Sequence, residues 1–346
     1  MESVGQRRSG CYTGNLNLRN KWIFEGSKKM AQTVPHIVVI GSAFIDVAIR
    51  CKDIPGPGET TMGTGFSCLT TGAGVNQATE AALCGCDVQL VGKVGSDYLG
   101  DMIRKSLAHY KIRSDYIVAA EAKNTGVIVT MVNAAGENSS CISVGANHSL
   151  RAADIEAAED AIAAADVCLI HGDIPQDAVV AAVRMANLHK VKVLIDPAFG
   201  INGNTRKHSD LPMEYFAVNV LIVNAEEASE IAEEPVSDLH KAKLVGSDLV
   251  AHGAQNVVIK MHRKGCLLIN REGTEHIPPF DVEVIDRTCA GDAFAGAFAA
   301  SYAVGDGIKD AVRFAAAAGA LACTKFGCQE SLPKKSDILE LLHKQA

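Results

Sequence analysis

Short, unbroken apolar runs recur from His36 onward, separated by stretches in which apolar positions return every three or four residues. Ile37-Val38-Val39-Ile40, closed by Gly41-Ser42, reads as a buried strand ended by a turn. Val88–Val94, Val167–Ile170, Val191–Ile195, Val220–Val223 and Val257–Lys260 repeat that pattern. Helical periodicity fills the gaps: 75–83 opened by Gly72-Ala73-Gly74, an amphipathic 98–109, an Ala-rich 151–164, then 176–189, 225–233 and 237–252. Helices over 291–304, 308–324 and 336–345 close the chain. Strands alternating with helices predict an α/β fold with a doubly wound, mostly parallel sheet flanked by helices on both faces. Cys266–Ile269, after the Arg263-Lys264-Gly265 turn, adds an antiparallel strand.

Two segments break the rhythm. Residues 46–71 hold Pro55-Gly56-Pro57-Gly58 between short extended pieces, and Thr125–Val132 and Ser140–Val144 alternate in the manner of half-buried strands. We expect these segments, about 46–71 and 125–144, to form a small β-sheet lid on one domain spanning 35–346. Residues 1–34 carry Arg7, Arg8, Arg19, Lys21, Lys28 and Lys29 against Glu2 and Glu25, with no sustained apolar period. They read as a disordered or loosely docked extension, with Met30 an alternative start and a transit peptide a further reading of the basic bias.

Composition narrows the class. With 346 residues, 48% of them hydrophobic, the chain can bury a large core, and a net charge of -7 argues against a general nucleic-acid or membrane-surface binder. No apolar run approaches the roughly 20 residues of a membrane helix. The 11 cysteines show no zinc-type spacing and no secretory signal precedes them, so we expect reduced thiols and a cytoplasmic setting.

Chemistry concentrates at the ends of the predicted strands, where Asp46, Asp173, Asp196, Asn224 and Asp286 fall. Singly each is an ordinary turn or cap residue; along one sheet edge they suggest a site. There is no Walker loop, and Gly72-Ala73-Gly74-Val75-Asn76-Gln77 misses the dinucleotide fingerprint because Gln77 stands where its third glycine belongs. The best phosphate cradle left is Asp286-Arg287-Thr288-Cys289-Ala290-Gly291-Asp292, small residues at the start of an uncharged apolar helix whose first N–H groups lack intrahelical partners. Two readings of Asp292 stay open on the residues alone: a helix cap, or a general base taking a proton from an attacking hydroxyl. Asn224 and Glu227, three apart at a helix start, are either a reciprocal cap or a pair holding Mg²⁺ through water.

Taken in order, Gly41-Ser42 with Asp46, Pro57-Gly58-Glu59-Thr60, Gly72-Ala73-Gly74-Val75-Asn76-Gln77-Ala78, Gly136-Glu137-Asn138, Asp196-Pro197-Ala198, Asn224/Glu227 and Ala290-Gly291-Asp292 resemble the ribokinase-like (PfkB) sugar kinases over residues 36–345. The resemblance implies transfer of the γ-phosphate of Mg-ATP to the terminal hydroxymethyl of a sugar, ribose first, another sugar or a nucleoside next. It implies Asp292 as base and Cys289, Ala290, Gly291 and Asp292 as the anion hole. Asp46, Gly72, Ala73, Asn76, Asp173 and Asp292 would contact the sugar, and Asn224, Glu227, Lys260, His262 and Gly265 the nucleotide, with Glu227 reaching Mg²⁺ through water. Asp286, Thr288, Ala322, Lys325, Gly327 and Ser331 would form a monovalent-cation site for K⁺, and the lid a dimer interface. Departures stand beside these matches: Ala73 for a lysine, Thr71 for a glycine, Asp173 for a glutamate, Arg287 and Cys289 inside the catalytic motif, and Lys260-Met261-His262 in the nucleotide region. They keep a catalytically weakened sugar- or nucleotide-binding protein as an alternative.

Overall fold

The structure, a computed structural model, describes residues 34–198 and 211–345. The extension expected over 1–34 thus lies, Val34 apart, outside the described residues. Strand β1 (His36–Ile40) is the hub, pairing parallel with β4 (Asp87–Gly95) on one side and β8 (Val167–His171) on the other. From β4 the sheet continues to β5 (Arg113–Ala120); from β8 it runs through β9 (Lys192–Asp196) and β10 (Val220–Asn224) to β11 (Asn256–Lys260), all parallel. Antiparallel β12 (Cys266–Asn270) and β13 (Gly273–Ile277) complete nine strands.

Alternation along the strands feeds two cores. Ile37 and Val39 point into one, shared with α1 (Ala73–Leu83), α2 (Tyr98–His109), α8 (Ala290–Val304), α9 (Ile308–Ala322) and α10 (Lys335–Lys344). Val38 and Ile40 enter the other, with α3 (Ala152–Glu156), α4 (Glu159–Ala163), α5 (Gln176–Leu188), α6 (Ala225–Ala232) and α7 (Leu239–Ala251). Burial of both sheet faces is why these strands are continuous apolar runs rather than alternating ones.

Three expectations change. The helix predicted over 151–164 is two short ones, because the chain bends at Ala157–Ala158 so that Ile155, Ala158 and Ile162 are all buried. Strands β5 and β13 were not foreseen: both lie at sheet edges, and β13 buries only Ile277. The excursion over 46–71 holds two full strands, β2 (Phe44–Cys51) and β3 (Gly63–Thr71), which join β6 (Gly126–Val132) and β7 (Asn138–Ser143) in a second sheet of order β3-β2-β6-β7.

Candidate active site

The strand order reverses at β1 and β8, and in such sheets the crevice beyond the carboxyl ends at that point receives ligands. Four neighbouring strands end there on polar residues: His171 closes β8, Asp196 β9, Asn224 β10 and Lys260 β11. Pairing register sets His171 beside Asp196 and Asn224 beside Lys260. Asp173, just past β8, is almost fully buried; it accepts a hydrogen bond from the Ser42 hydroxyl and meets His171 Nδ1 at 2.8 Å. Burial alone would lower the His171 pKa, but Asp173, with Asp196 and Asp292 further off, pushes it up to about 10. His171 is thus an imidazolium held among carboxylates.

Helix α8 brings the remaining acid. Cys289 starts it in the left-handed region, φ 60°, and no side chain caps it, so Asp292 is not the cap that its type allowed. Its carboxylate instead accepts from Asn76 Nδ2 at 2.9 Å and, more distantly, from Gln77 Nε2 at 3.4 Å, both on α1. Burial raises the Asp292 pKa, helped by Asp196 and Asp173 and opposed by His171 and Asn76. The Gly291 and Asp292 N–H groups precede the first intrahelical bond, Ala293 N–H to Cys289 C=O at 2.9 Å; the Ala290 N–H is turned back on the Arg287 carbonyl at 3.3 Å. The expected four-donor cradle therefore has one member already engaged.

The glycines at 72 and 74 serve the protein itself. A Cβ at Gly72 would stand 2.8 Å from the Ser42 carbonyl oxygen, and one at Gly74 2.6 Å from the Gly41 carbonyl carbon. They let the start of α1 lie on the end of β1, which carries Asn76 to Asp292. At Gly291 a Cβ would meet only Lys260 Nζ, at 3.5 Å, so the space before it belongs to no protein atom. That space opens into a cavity of about 800 Å³ lined by Asn224, Lys260, Gly265, Gly291, Phe294 and Ala316, with His262 at its exposed rim.

Residues 34–335 match the model of the pfkB family of carbohydrate kinases. The chain belongs to that family. It is 33% identical to the ribokinase of Bacillus subtilis (strain 168), over 89% of this chain and 99% of that protein, and 29% identical to the deoxyribokinase of Salmonella typhi, over 88% and 98%. Its fold is similar to that of Arabidopsis thaliana ribokinase complexed with ribose and ATP, with a TM-score of 0.81 and 26% identity over 90% of this chain and 99% of that one. A pfkB kinase is a phosphotransferase acting on a sugar hydroxyl, and the crevice has what that chemistry needs: a buried carboxylate, free helix-start N–H groups and an adjoining cavity.

The other predicted residues of this pfkB kinase fall in four places. Asn224 and Glu227 form a reciprocal cap on α6, Glu227 N–H to Asn224 Oδ1 at 2.8 Å and Asn224 N–H to Glu227 Oε2 at 2.7 Å. Burial, then Asp196, pushes Glu227 up to about 7 against Lys260 and the Asn224 N–H. Asp286 ties two loops together, Oδ1 accepting from the Thr288 N–H (2.9 Å) and hydroxyl (2.6 Å) and Oδ2 from the Gly327 N–H at 3.1 Å. Ser331 is buried and donates to the Cys328 carbonyl at 2.7 Å; Ala322 is buried at the end of α9 and Lys325 is exposed. Asp46 lies in β2 and accepts from the Thr130 hydroxyl at 3.2 Å, with no hydrogen bond to the Asp292 group among the described residues. Ala73 is the first residue of α1. Ser42 and Gln77 were quoted within motifs but given no role, and His171 was missed; the signal available for His171 was a titratable residue ending the apolar run Val167–Ile170.

Proposed function

We propose that this pfkB kinase transfers the γ-phosphate of Mg-ATP to the terminal hydroxymethyl of a sugar, ribose before deoxyribose, another sugar or a nucleoside. The observation that carries the reading is Asp292, a carboxylate of raised pKa held by Asn76 and Gln77 and next in the chain to Gly291, which lines the 800 Å³ cavity. Asp292 takes the hydroxyl proton as that oxygen bonds to the γ-phosphorus; the bond from phosphorus to ADP breaks, and the proton later leaves to solvent. Gly291 and Asp292 N–H groups, with Cys289 and Ala290 framing them, receive the γ-phosphate. Asp46, Gly72, Ala73, Asn76 and Asp173 face the sugar, and Asn224, Lys260, His262 and Gly265 line the nucleotide.

Mg²⁺ fits the donor set only through water. Asn224 Oδ1 and Glu227 Oε2 are spent on the cap, and among the described residues no three acidic, histidine or cysteine side chains converge as direct ligands. When bound, the ion would neutralise phosphate charge; Glu227 would hold its waters. Residues 286–288 and 322–331 are the proposed K⁺ loops, since Asp286 already joins them. The four-stranded sheet is the proposed lid and dimer surface. A cytoplasmic setting accords with ten described cysteines, all free.

The deciding experiment is an ADP-release screen over ribose, deoxyribose, fructose, other ketoses and nucleosides with Mg²⁺ and K⁺. Turnover highest on ribose is expected. Sugar-induced thermal stabilisation without ADP release from any substrate would replace the kinase reading with a binding protein.

A further inference from the structure

Phosphoryl transfer asks little covalent chemistry of a protein; it asks for positive charge set in advance around the moving group and the departing diphosphate. The start of α8 offers only the partial charge of its N–H groups. A full charge stands beside it. Lys260 leaves the end of β11 with a side chain 18% exposed, and its Nζ lies 3.3 Å from Asp196 Oδ2. The same nitrogen is 3.5 Å from where a Gly291 Cβ would be, and both residues line the cavity, Gly291 being the residue before Asp292. An ammonium has three donors, and among the described residues Asp196 is its one hydrogen-bond partner, which leaves two for a ligand. The other basic side chains lining the cavity, His262, Arg263 and Arg287, are exposed, and His262 is occupied by Glu226 at 2.9 Å.

We infer that Lys260 is a catalytic residue of the transfer: its ammonium, oriented by Asp196, contacts the γ-phosphate while the bond to ADP breaks and the bond to the sugar oxygen forms. This deepens the kinase reading above and rests on it. Asp196 acts through Lys260 and is a positioning residue. A cation fixed there favours a triphosphate over a diphosphate, because the terminal phosphate is what reaches it.

Lys260→Met tests this with two readouts. In turnover with the preferred sugar, kcat is expected to fall by about 10²–10³ with little change in the sugar KM. In calorimetric binding, the preference for a non-hydrolysable ATP analogue over ADP is expected to fall about tenfold or more. A kcat within threefold of wild type, or equal weakening of both nucleotides, overturns the assignment and leaves Lys260 a counter-ion for Asp196. If Lys260→Met alone fails to fold because Asp196 is left without its cation, the double variant Lys260→Met/Asp196→Asn removes both charges and must show the same losses. The binding comparison is independent of the sugar, so it reads on Lys260 even if wild-type protein turns over no substrate, the outcome that sinks the kinase reading instead.

Discussion

At the scale of single residues, Asp292 is where burial meets the proposed chemistry. Its pKa is raised by burial first and by Asp196 and Asp173 after that, with His171 and Asn76 holding the rise in check. A base works only when ionised, so the acid limb of kcat/KM is expected at higher pH than an ordinary aspartate would place it, activity disappearing as pH falls through that raised value. Asp292→Asn is expected to lower kcat by about 10²–10⁴ and to flatten that limb, because the amide cannot accept the proton. Steady-state rates across pH on both proteins check this; unchanged turnover in the variant would remove Asp292 as base. The place of Asp292 at a phosphate-friendly helix start was legible in the sequence because small residues and an acid open an apolar helix, but the residues alone left cap and base both open. Its partner Asn76, 216 residues away, was singled out as a sugar ligand, but the bond between them follows only from packing α1 on α8. His171 was harder still, since a titratable residue ending an apolar strand looks like ordinary punctuation until strand register sets four such ends side by side; Lys260 was named only as a nucleotide contact, and its place beside Asp196 and Gly291 comes from the fold.

At the scale of elements, what could be read was what periodicity encodes. Strands buried on both faces and helices with apolar stripes were found within a residue or two. The break between α3 and α4 was not, because an alanine-rich run is equally content as one helix or two and only burial of Ile155, Ala158 and Ile162 selects the bend. The Asn224/Glu227 pair illustrates the same point: a capping box and an ion-holding pair share one spacing, and the reciprocal hydrogen bonds identify the cap while leaving one Glu227 oxygen for water. The loops joined by Asp286 carry an element-scale prediction. Burial would raise the Asp286 pKa, but bonds from Thr288 and Gly327 lower it, so the carboxylate is charged where the two loops meet. If K⁺ sits between these loops, replacing Na⁺ by K⁺ raises kcat/KM in wild type, and Asp286→Ala, which releases residue 327 from 286, abolishes the difference. Equal wild-type rates in the two salts would exclude a K⁺ site there.

At the scale of the whole molecule, the second sheet sets the unsolved packing problem. Register puts Phe66 opposite Ile49 and Val129 opposite Val47, alternate residues of β2, so Phe66 and Val129 share one face, while Asp46 and Thr130 share the other. Phe66 is 77% exposed and Val129 38%. The edges are no better covered: every residue of β7 is exposed, and an open edge strand is a template for pairing with another chain. A monomer would leave both the apolar face and the edge in water, whereas a two-fold dimer through this sheet would cover the face bearing Phe66 and leave Asp46 turned towards a substrate. Phe66→Asp places a charge at the centre of that contact. Light scattering after size exclusion is expected to give twice the chain mass for wild type and the single-chain mass for the variant, and a wild-type protein that stays monomeric at micromolar concentration would show that the sheet closes over its own site alone.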